Sequence, residues 1–444
     1  MEAKPRDYPK IKDLVRRDFR EISMKDLAEK ATNRLILDTY LNDTNVSIKP
    51  KKPSIISSCM GQIRRILLTI PKYALEGNNN PIWEVYKDLI LKLPKHTKFL
   101  ILTHSSIRPQ LEKWITSNKI TARVEFGEIP DYIHFSVWAE DGYAVVKETS
   151  NNKIFFVEPY SFTRYGDSLL ADFAANLTDL NNSQAPLYFQ GGNLLIGDDF
   201  FMIGADYPAN TLKYFGNVLM PDPGETKEKM VYRLYKEYLD KKRTLIYVGS
   251  TINVPTQSKK AFMLNGEQWT EHLYLGNHPG TVQPLFHIDM FITPVGRDSK
   301  KKFQLLVGDP AMAAKMMNKP VSEFAMVEVF DNIAKNLEKL GFKVIRNPLP
   351  LVYVDDSEYK ERYWYFATAN NALVEIGPKN KKAWIPTYAH GNWAELSITD
   401  EKNKQIFESL GFEVFKLGNF HPFAENLGAV HCIKKYLDRT NSKS

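Results

Sequence analysis

A cysteine near the end of this chain and a histidine–aspartate pair far upstream are the residue types of a nucleophilic catalytic site. The chain has two cysteines, Cys59 and Cys432, and Cys432 follows a small-residue stretch close to the C-terminus. His287 and Asp289 stand two positions apart between apolar residues. A lone thiol with a distant imidazole and carboxylates is a candidate nucleophile, because such partners meet in the fold rather than in sequence.

Two further segments stand out, Trp138–Asp141 and Gln190–Leu194, the second with paired glycines. In chain order and with their wide gaps, these two and the segments around His287 and Cys432 resemble the guanidine-modifying superfamily. That superfamily includes arginine, agmatine and peptidylarginine deiminases and amidinotransferases. Its pattern is Trp-x-x-Asp, then Gly-Gly/Gly-Asn, then His-x-Asp, and finally Gly-x-x-His-Cys near the C-terminus. Each motif is short, and the specificity lies in finding all four in order.

The resemblance implies a role for each matching residue. Cys432 matches the nucleophile and His287 the general acid/base. Asp141 and Asp289 match the two carboxylates that hold the substrate guanidinium. We also place Trp138 and Asn193 among the substrate-binding residues, with simple packing as the alternative for the tryptophan. No cofactor and no metal is expected.

These residue types suit guanidine chemistry. A guanidinium is planar and charged, and two carboxylates can hold its N–H groups and fix its plane beneath a sulfur atom. Attack by the thiolate, loss of ammonia with a proton from His287, and attack by water would give a ureido group. An amidinotransferase would use an amine instead of that water.

Departures from the family pattern bear on the substrate. Gln190 stands where deiminases of free arginine and agmatine commonly have Glu, and Glu140 stands where small-molecule members often have Arg. We therefore predict conversion of arginine residues in proteins or peptides to citrulline. The alternatives are a small-molecule guanidine deiminase (agmatine or arginine), an amidinotransferase, or, in a different class, a non-catalytic protein-binding module.

Several of these residues allow another interpretation. His287 and Asp289 would share one face of a strand, where they could also ligate a metal, but a third ligand with suitable spacing is missing. His431 would point away from Cys432 in a strand and is expected to be structural, as is Cys59. The paired glycines lack phosphate-loop spacing, so a close backbone approach explains them better.

The elements that position these residues alternate between strands and helices. Residues 1–53 predict an N-terminal helical arm from the spacing of Leu14, Phe19, Ile22, Leu27, Ala28, Leu35 and Ile36. Residues 54–444 predict one α/β catalytic domain. Two matching stretches, 340–344 and 410–414, each follow an amphipathic helix with a glycine suited to its C-cap. The resemblance implies a five-unit α/β propeller with pseudo-fivefold symmetry, which fits this echo.

Composition indicates a globular protein, and two cysteines give no reason to expect an oxidising compartment. Hydrophobic residues make up 43% and charged residues 25% of the 444 positions, and the net charge is +7. Neither a secretory signal nor a bilayer-spanning run is visible. We predict a cytoplasmic protein, with export as an effector left open. Its expected partner is a guanidine-bearing substrate, with neither nucleic acid nor membrane, and the sequence leaves the oligomeric state open.

Overall fold

The structure is a computed structural model that describes residues 3–11, 14, 49–160, 162, 164 and 166–440. Most of the positions that predicted a helical arm, from Phe19 to Ile36, lie outside these residues. Throughout the described part, strands and helices alternate in a mixed α/β fold with several small sheets.

The described strands are β1 (Pro53–Ile55), β2 (Ile63–Ile70), β3 (Lys98–His104), β4 (Val124–Ile129), β5 (Ala144–Glu148), β6 (Ile154–Pro159), β7 (Asn181–Ala185), β8 (Leu194–Ile196), β9 (Phe200–Gly204), β10 (Thr244–Val248), β11 (Ser258–Leu264), β12 (Glu267–Leu273), β13 (Ile292–Arg297), β14 (Phe303–Asp309), β15 (Lys343–Pro348), β16 (Leu351–Asp356), β17 (Glu361–Phe366), β18 (Leu373–Ile376), β19 (Lys381–Thr387), β20 (Phe412–Asn419) and β21 (Lys434–Arg439). The described α-helices are α1 (Pro81–Lys92), α2 (Arg108–Ser117), α3 (Leu170–Leu177), α4 (Asp206–Phe215), α5 (Lys227–Tyr238), α6 (Pro310–Met316), α7 (Val327–Lys339), α8 (Ser397–Ser409) and α9 (His421–Ala424).

One strand order recurs in five of the six described sheets. An antiparallel pair is followed by a strand parallel to its second member, in β5-β6-β7, β8-β9-β10, β13-β14-β15, β18-β19-β20 and β21-β2-β3. In each case one or two helices separate the second and third strands, because a parallel return needs a crossover. The sixth sheet joins two hairpins in the order β11-β12-β17-β16.

The two matching stretches, 340–344 and 410–414, occupy equivalent positions in two of these sheets. Helices α7 and α8 are followed by Gly341 at φ +96° and Gly411 at φ +84°, a left-handed conformation that favours glycine. Strands β15 and β20 begin immediately afterwards, and each pairs in parallel with the strand before the helix. The helix, C-cap and strand predicted at both places are confirmed.

The alternation of strands and helices predicted from sequence is also present between β2 and β4. Helix α1 begins at Pro81, and the Asn80 side chain accepts a hydrogen bond from the Ile82 backbone N–H at 3.0 Å. Its apolar face is buried, and strands β2, β3 and β4 form a parallel ladder beside β21.

The described start of the chain packs against the rest of the fold. Pro5 forms a bridge with Asp355 in β16, and the backbone N–H of Asp355 donates to the carbonyl of Lys4 at 2.8 Å. Leu14 is fully buried in the largest apolar core, which also contains Ile66, Leu305 and Cys432. The predicted nucleophile therefore lies in the molecular interior. None of the described helices is long and apolar enough to cross a membrane.

Candidate active site

The predicted catalytic side chains lie in short turns that precede the first strand of a recurring sheet. Asp141 comes just before β5, and Gln190 and Asn193 just before β8. His287 and Asp289 precede β13, and Cys432 precedes β21. Turns at equivalent places in similar sheets bring together residues that are far apart in sequence.

Cys432 and Asp289 meet in the interior. The Cys432 Sγ lies 3.7 Å from Asp289 Oδ2, and the same oxygen is 2.8 Å from Nδ1 of His431. All three residues are buried. Burial is the main cause that lowers the pKa of His431 to about 4, so the imidazole is neutral and its Nδ1–H donates to the carboxylate.

Asp289 presents a buried carboxylate oxygen towards the region beside the thiol. Its Oδ1 is buried and has no hydrogen-bond partner among the described residues. Burial raises the pKa of this carboxyl, an effect opposed by the hydrogen bond from His431. A buried carboxylate oxygen is costly to leave unpaired, so this atom is suited to accept an N–H from a cation that enters beside the thiol.

His287 is held by two polar side chains. Its Nε2 lies 2.9 Å from the Tyr207 hydroxyl and 2.9 Å from Gln190 Oε1. With Gln190 Oε1 as an acceptor, Nε2 carries the proton of the neutral ring, and Nδ1 is then the atom that takes up or releases a proton. Nδ1 lies 3.7 Å from Asp141 Oδ1. His287 is thus oriented towards one of the predicted substrate carboxylates.

The paired glycines allow this approach. A Cβ on Gly192 would overlap the Nδ1 atom of His287, and one on Gly191 would overlap the carbonyl oxygen of Glu140. The close backbone approach predicted from sequence is confirmed, and its partners are His287 and the turn that holds Asp141.

Asp141 is fully buried and contacts a guanidinium of this chain. Nη2 of Arg164 donates to its Oδ2 at 2.9 Å, and Nε of Arg164 donates to Asp167. The Arg164 guanidinium also lies over the ring of Phe162, 4.9 Å from its centroid. The site therefore contains an internal example of carboxylate–guanidinium pairing.

Trp138 and Asn193 make contacts that hold the fold. Nε1 of Trp138 donates to the carbonyl of Leu14 at 3.2 Å, and its ring packs edge-on against Phe423. Asn193 Oδ1 accepts the backbone N–H of Ile288 at 2.9 Å and a hydrogen bond from Gln283. Asn193 thereby fixes the turn that carries His287 and Asp289, and substrate contact by either residue stays a prediction.

Two expectations about side-chain direction are wrong. Residues 288–290 form a 3₁₀ turn rather than a strand, so His287 faces Asp141 while Asp289 faces Cys432. Cys432 also lies in a turn, and His431 contacts the same carboxylate oxygen as the thiol instead of facing away. Alternation between two faces applies to extended strands, and neither segment is one.

Glu140 has a structural position that its sequence context did not indicate. Its two carboxylate oxygens each lie 2.8 Å from a buried ammonium, that of Lys434 and that of Lys435. Its backbone N–H donates to the carbonyl of Cys432 at 3.1 Å. Glu140 therefore links the Asp141 turn to the Cys432 turn. Its side chain, at the position where small-molecule members often have Arg, pairs with two lysines of this chain instead.

Sequence reasoning missed three side chains at the site: Tyr207, Arg164 and Asn371. Nδ2 of Asn371 lies 3.2 Å from Cys432 Sγ. The available signal was a pair of adjacent asparagines, 370 and 371, immediately before the apolar strand β18. By contrast Cys59, the other thiol, is buried, and burial raises its pKa to about 12, as suits a structural cysteine.

Comparison with known proteins gives similarity at the level of structure. No protein-family model matches the chain, and no curated protein matches it in sequence. The agmatine deiminase of Enterococcus faecalis matches with a TM-score of 0.58 and 12% identity, over 89% of this chain and 99% of that chain. A cysteine-to-serine agmatine deiminase from C. jejuni, solved with substrate bound, matches at 0.55 and 13% identity, over 88% and 98%.

A provisionally assigned peptidyl-arginine deiminase also matches, with a TM-score of 0.53 and 14% identity over 86% of this chain and 97% of that chain. The chain shares its fold with these agmatine and peptidyl-arginine deiminase structures. At these identities the matches do not separate the two kinds of deiminase. The mixed α/β architecture predicted from sequence is confirmed.

Proposed function

We propose that this chain is a guanidine deiminase in which Cys432 is the nucleophile. The observation that carries the proposal is the buried Asp289, whose Oδ2 is 3.7 Å from Cys432 Sγ and whose Oδ1 has no hydrogen-bond partner among the described residues. A guanidinium donating N–H to Oδ1 would place its carbon beside the sulfur. Deiminase structures with the same fold support the assignment.

The proposed reaction balances as hydrolysis. The Cys432 thiolate attacks the guanidinium carbon, and the C–N bond breaks as His287 supplies the proton with which ammonia leaves. Water, deprotonated by His287, then attacks the thiouronium carbon, and the C–S bond breaks to restore the thiolate. Guanidine and water thus give a ureido product and ammonia. Asp141 and Asp289 hold the guanidinium plane during both steps.

The architecture proposed for residues 54–444 is a five-unit propeller. Five sheets with the same strand order support it, as do the catalytic turns at equivalent places before β5, β8, β13 and β21. In this arrangement each sheet contributes one turn to a common centre, which explains why the catalytic residues are spread along the chain.

A small guanidine is the favoured substrate class. Cys432, His287, Asp141 and Asp289 are each at most 1% exposed, so an arginine on a protein surface would need a long reach to the sulfur. Agmatine deiminases among the structures with this fold support the same choice. Arginine within a peptide is the second candidate, because Gln190 replaces the glutamate that is common in small-molecule members.

A substrate panel tests the proposal and separates these classes. Ammonia release and ureido product would be measured with agmatine, free arginine and an arginine peptide blocked at both ends. We expect turnover of agmatine above that of the blocked peptide, and its loss in Asp289→Asn. Turnover of the peptide alone would favour the second candidate. Release of ornithine or putrescine together with an amidino adduct of an added amine would indicate an amidinotransferase, and no reaction of any kind would favour the binding-module alternative.

A further inference from the structure

A fifth turn also lies at the site. It belongs to the sheet β18-β19-β20, which carries none of the four sequence motifs. Residues 367–372 connect β17 to β18 and precede the first strand of β18-β19-β20, as the catalytic turns precede β5, β8, β13 and β21. Asn371 lies in this turn and is fully buried. Its position is therefore equivalent, in the order of the fold, to those of Asp141, Asp289 and Cys432.

The amide oxygen of the Asn371 side chain binds the turn that carries Cys432. Oδ1 accepts backbone N–H groups from Ala429 at 3.1 Å, His431 at 2.9 Å and Cys432 at 3.3 Å. The backbone N–H of His431 also lies 3.2 Å from the carbonyl of Asn371. Three donors converging on one oxygen make this end of the amide an acceptor.

That arrangement fixes the direction of the amide group. The NH₂ end must point away from the three backbone N–H groups, because a flipped amide would set donors against donors. Nδ2 then lies 3.2 Å from Cys432 Sγ and donates towards it. A donor aimed at sulfur stabilises the thiolate relative to the thiol, whereas the Asp289 carboxylate at 3.7 Å has the opposite effect.

We propose that Asn371 is a positioning residue that stabilises the Cys432 thiolate by a hydrogen bond and orients it with the same amide that fixes the turn. The proposal rests on the proposed function, in which Cys432 is the nucleophile, and adds a group that keeps its sulfur reactive beside a carboxylate. A purely structural asparagine would need the oxygen contacts and not the donor.

Two substitutions separate these roles. Asn371→Ala removes both the donor and the acceptor. Asn371→Asp keeps an oxygen for the three backbone N–H groups but replaces the donor with a second carboxylate oxygen. A structural role makes the aspartate variant the milder of the two. A thiolate-stabilising role makes it the more severe, because a negative charge then faces the sulfur. Asn370→Ala is the matched control, since the Asn370 amide pairs with Asn347 instead.

The measurement is the ionisation of Cys432, followed by thiolate ultraviolet absorbance against pH in the full chain. Subtraction of the matching Cys432→Ser protein isolates this thiol, and Cys59 stays protonated because its pKa is about 12. We expect the midpoint to rise by about one pH unit in Asn371→Ala and further in Asn371→Asp. Asn370→Ala should leave it unchanged.

An unchanged midpoint in Asn371→Ala, or a midpoint in Asn371→Asp no higher than in Asn371→Ala, would overturn the proposal. If Asn371→Ala does not fold, Asn371→Ser takes its place under the same criterion, because its shorter side chain cannot reach both the turn and the sulfur. The titration needs no turnover. A shifted midpoint in a protein that converts no guanidine would therefore leave the thiolate contact standing while the proposed function fails.

Discussion

Nη2 of Arg164 donates a hydrogen bond to Oδ2 of Asp141 at 2.9 Å, so the chain holds one of its own guanidinium groups on a predicted substrate carboxylate. Asp141 is fully buried and the Arg164 side chain is 10% exposed. Removing one partner of a buried pair leaves the other charge uncompensated. Arg164 therefore provides a counter-charge for the buried Asp141 carboxylate.

A double-mutant cycle tests this pairing. We expect Arg164→Met to lower the free energy of unfolding by about 3 kcal/mol, because it leaves the buried Asp141 carboxylate without its counter-charge. In the Asp141→Asn background the same change should cost at least about 1 kcal/mol less. Urea denaturation of the four proteins gives both numbers. Additive losses would mean that the two side chains do not interact.

Orientation of His287 depends on Gln190 and Tyr207, each 2.9 Å from its Nε2. We expect Gln190→Leu and Tyr207→Phe each to lower kcat about tenfold, because the ring of His287, the proposed general acid/base, would no longer be held in one orientation. KM should change little, because neither side chain is assigned to the guanidinium. Steady-state kinetics with the best substrate measures both constants. Tyr235→Phe is the control, since its buried hydroxyl contacts Thr211, and an equal loss there would refute a specific role.

The described N-terminal segment is anchored by a buried ion pair. Nη2 of Arg6 lies 3.1 Å from Oε2 of Glu425, which also accepts from the Tyr8 hydroxyl at 3.2 Å. We expect Arg6→Ala to lower the free energy of unfolding by about 3 kcal/mol. Glu425→Gln in the same protein should recover part of that loss, because it removes the buried carboxylate that Arg6 no longer neutralises. Chemical denaturation measures both, and no recovery would contradict the pairing.

Acid should destabilise the fold through His421. Its Nε2 donates to the Tyr388 carbonyl at 2.7 Å and its Nδ1 accepts from the Tyr365 hydroxyl at 2.6 Å, which fixes the neutral ring. Burial lowers the pKa of His421 from 6.5 to about 3. Because the folded-state pKa is depressed, the unfolded state binds the proton first, and stability is lost as pH falls below about 6.5.

The corresponding test compares unfolding free energies at about pH 7 and about pH 5. We expect the loss on acidification to be about 2 kcal/mol smaller in His421→Gln than in the unmodified protein. His96→Gln, at an exposed histidine, should leave the loss unchanged. Equal acid sensitivity in His421→Gln and the unmodified protein would show that His421 titrates normally.

Local patterns predicted much of the fold. The helix–glycine–strand units ending in β15 and β20 follow from apolar spacing and from the glycine C-caps, which act within a few positions. The order of five similar sheets could not be deduced in this way, because strand pairing joins residues hundreds of positions apart, as between β2 and β21.

The same distinction between local patterns and distant contacts applies to the candidate site. Cys432, His287, Asp141 and Asp289 were identified through a resemblance to known motifs, and the fold brings them into one interior region. The directions of His431 and Asp289 were misjudged because both lie in turns rather than strands. Arg164 carries no local signal of function, and the only local signal at Asn371 is its place in a pair of asparagines before β18. Their roles depend on which distant group each side chain meets, and a single sequence does not contain that information.

The central claim is that Cys432 attacks a guanidinium carbon, and product mass spectrometry tests it most directly. Agmatine and the blocked arginine peptide would be incubated with the unmodified protein, Cys432→Ala and the matched thiol control Cys59→Ala. We predict replacement of the guanidine =NH by =O, with release of ammonia, by the unmodified protein and Cys59→Ala but not by Cys432→Ala. Conversion that survives Cys432→Ala, or no conversion of either guanidine by the unmodified protein, would contradict the account.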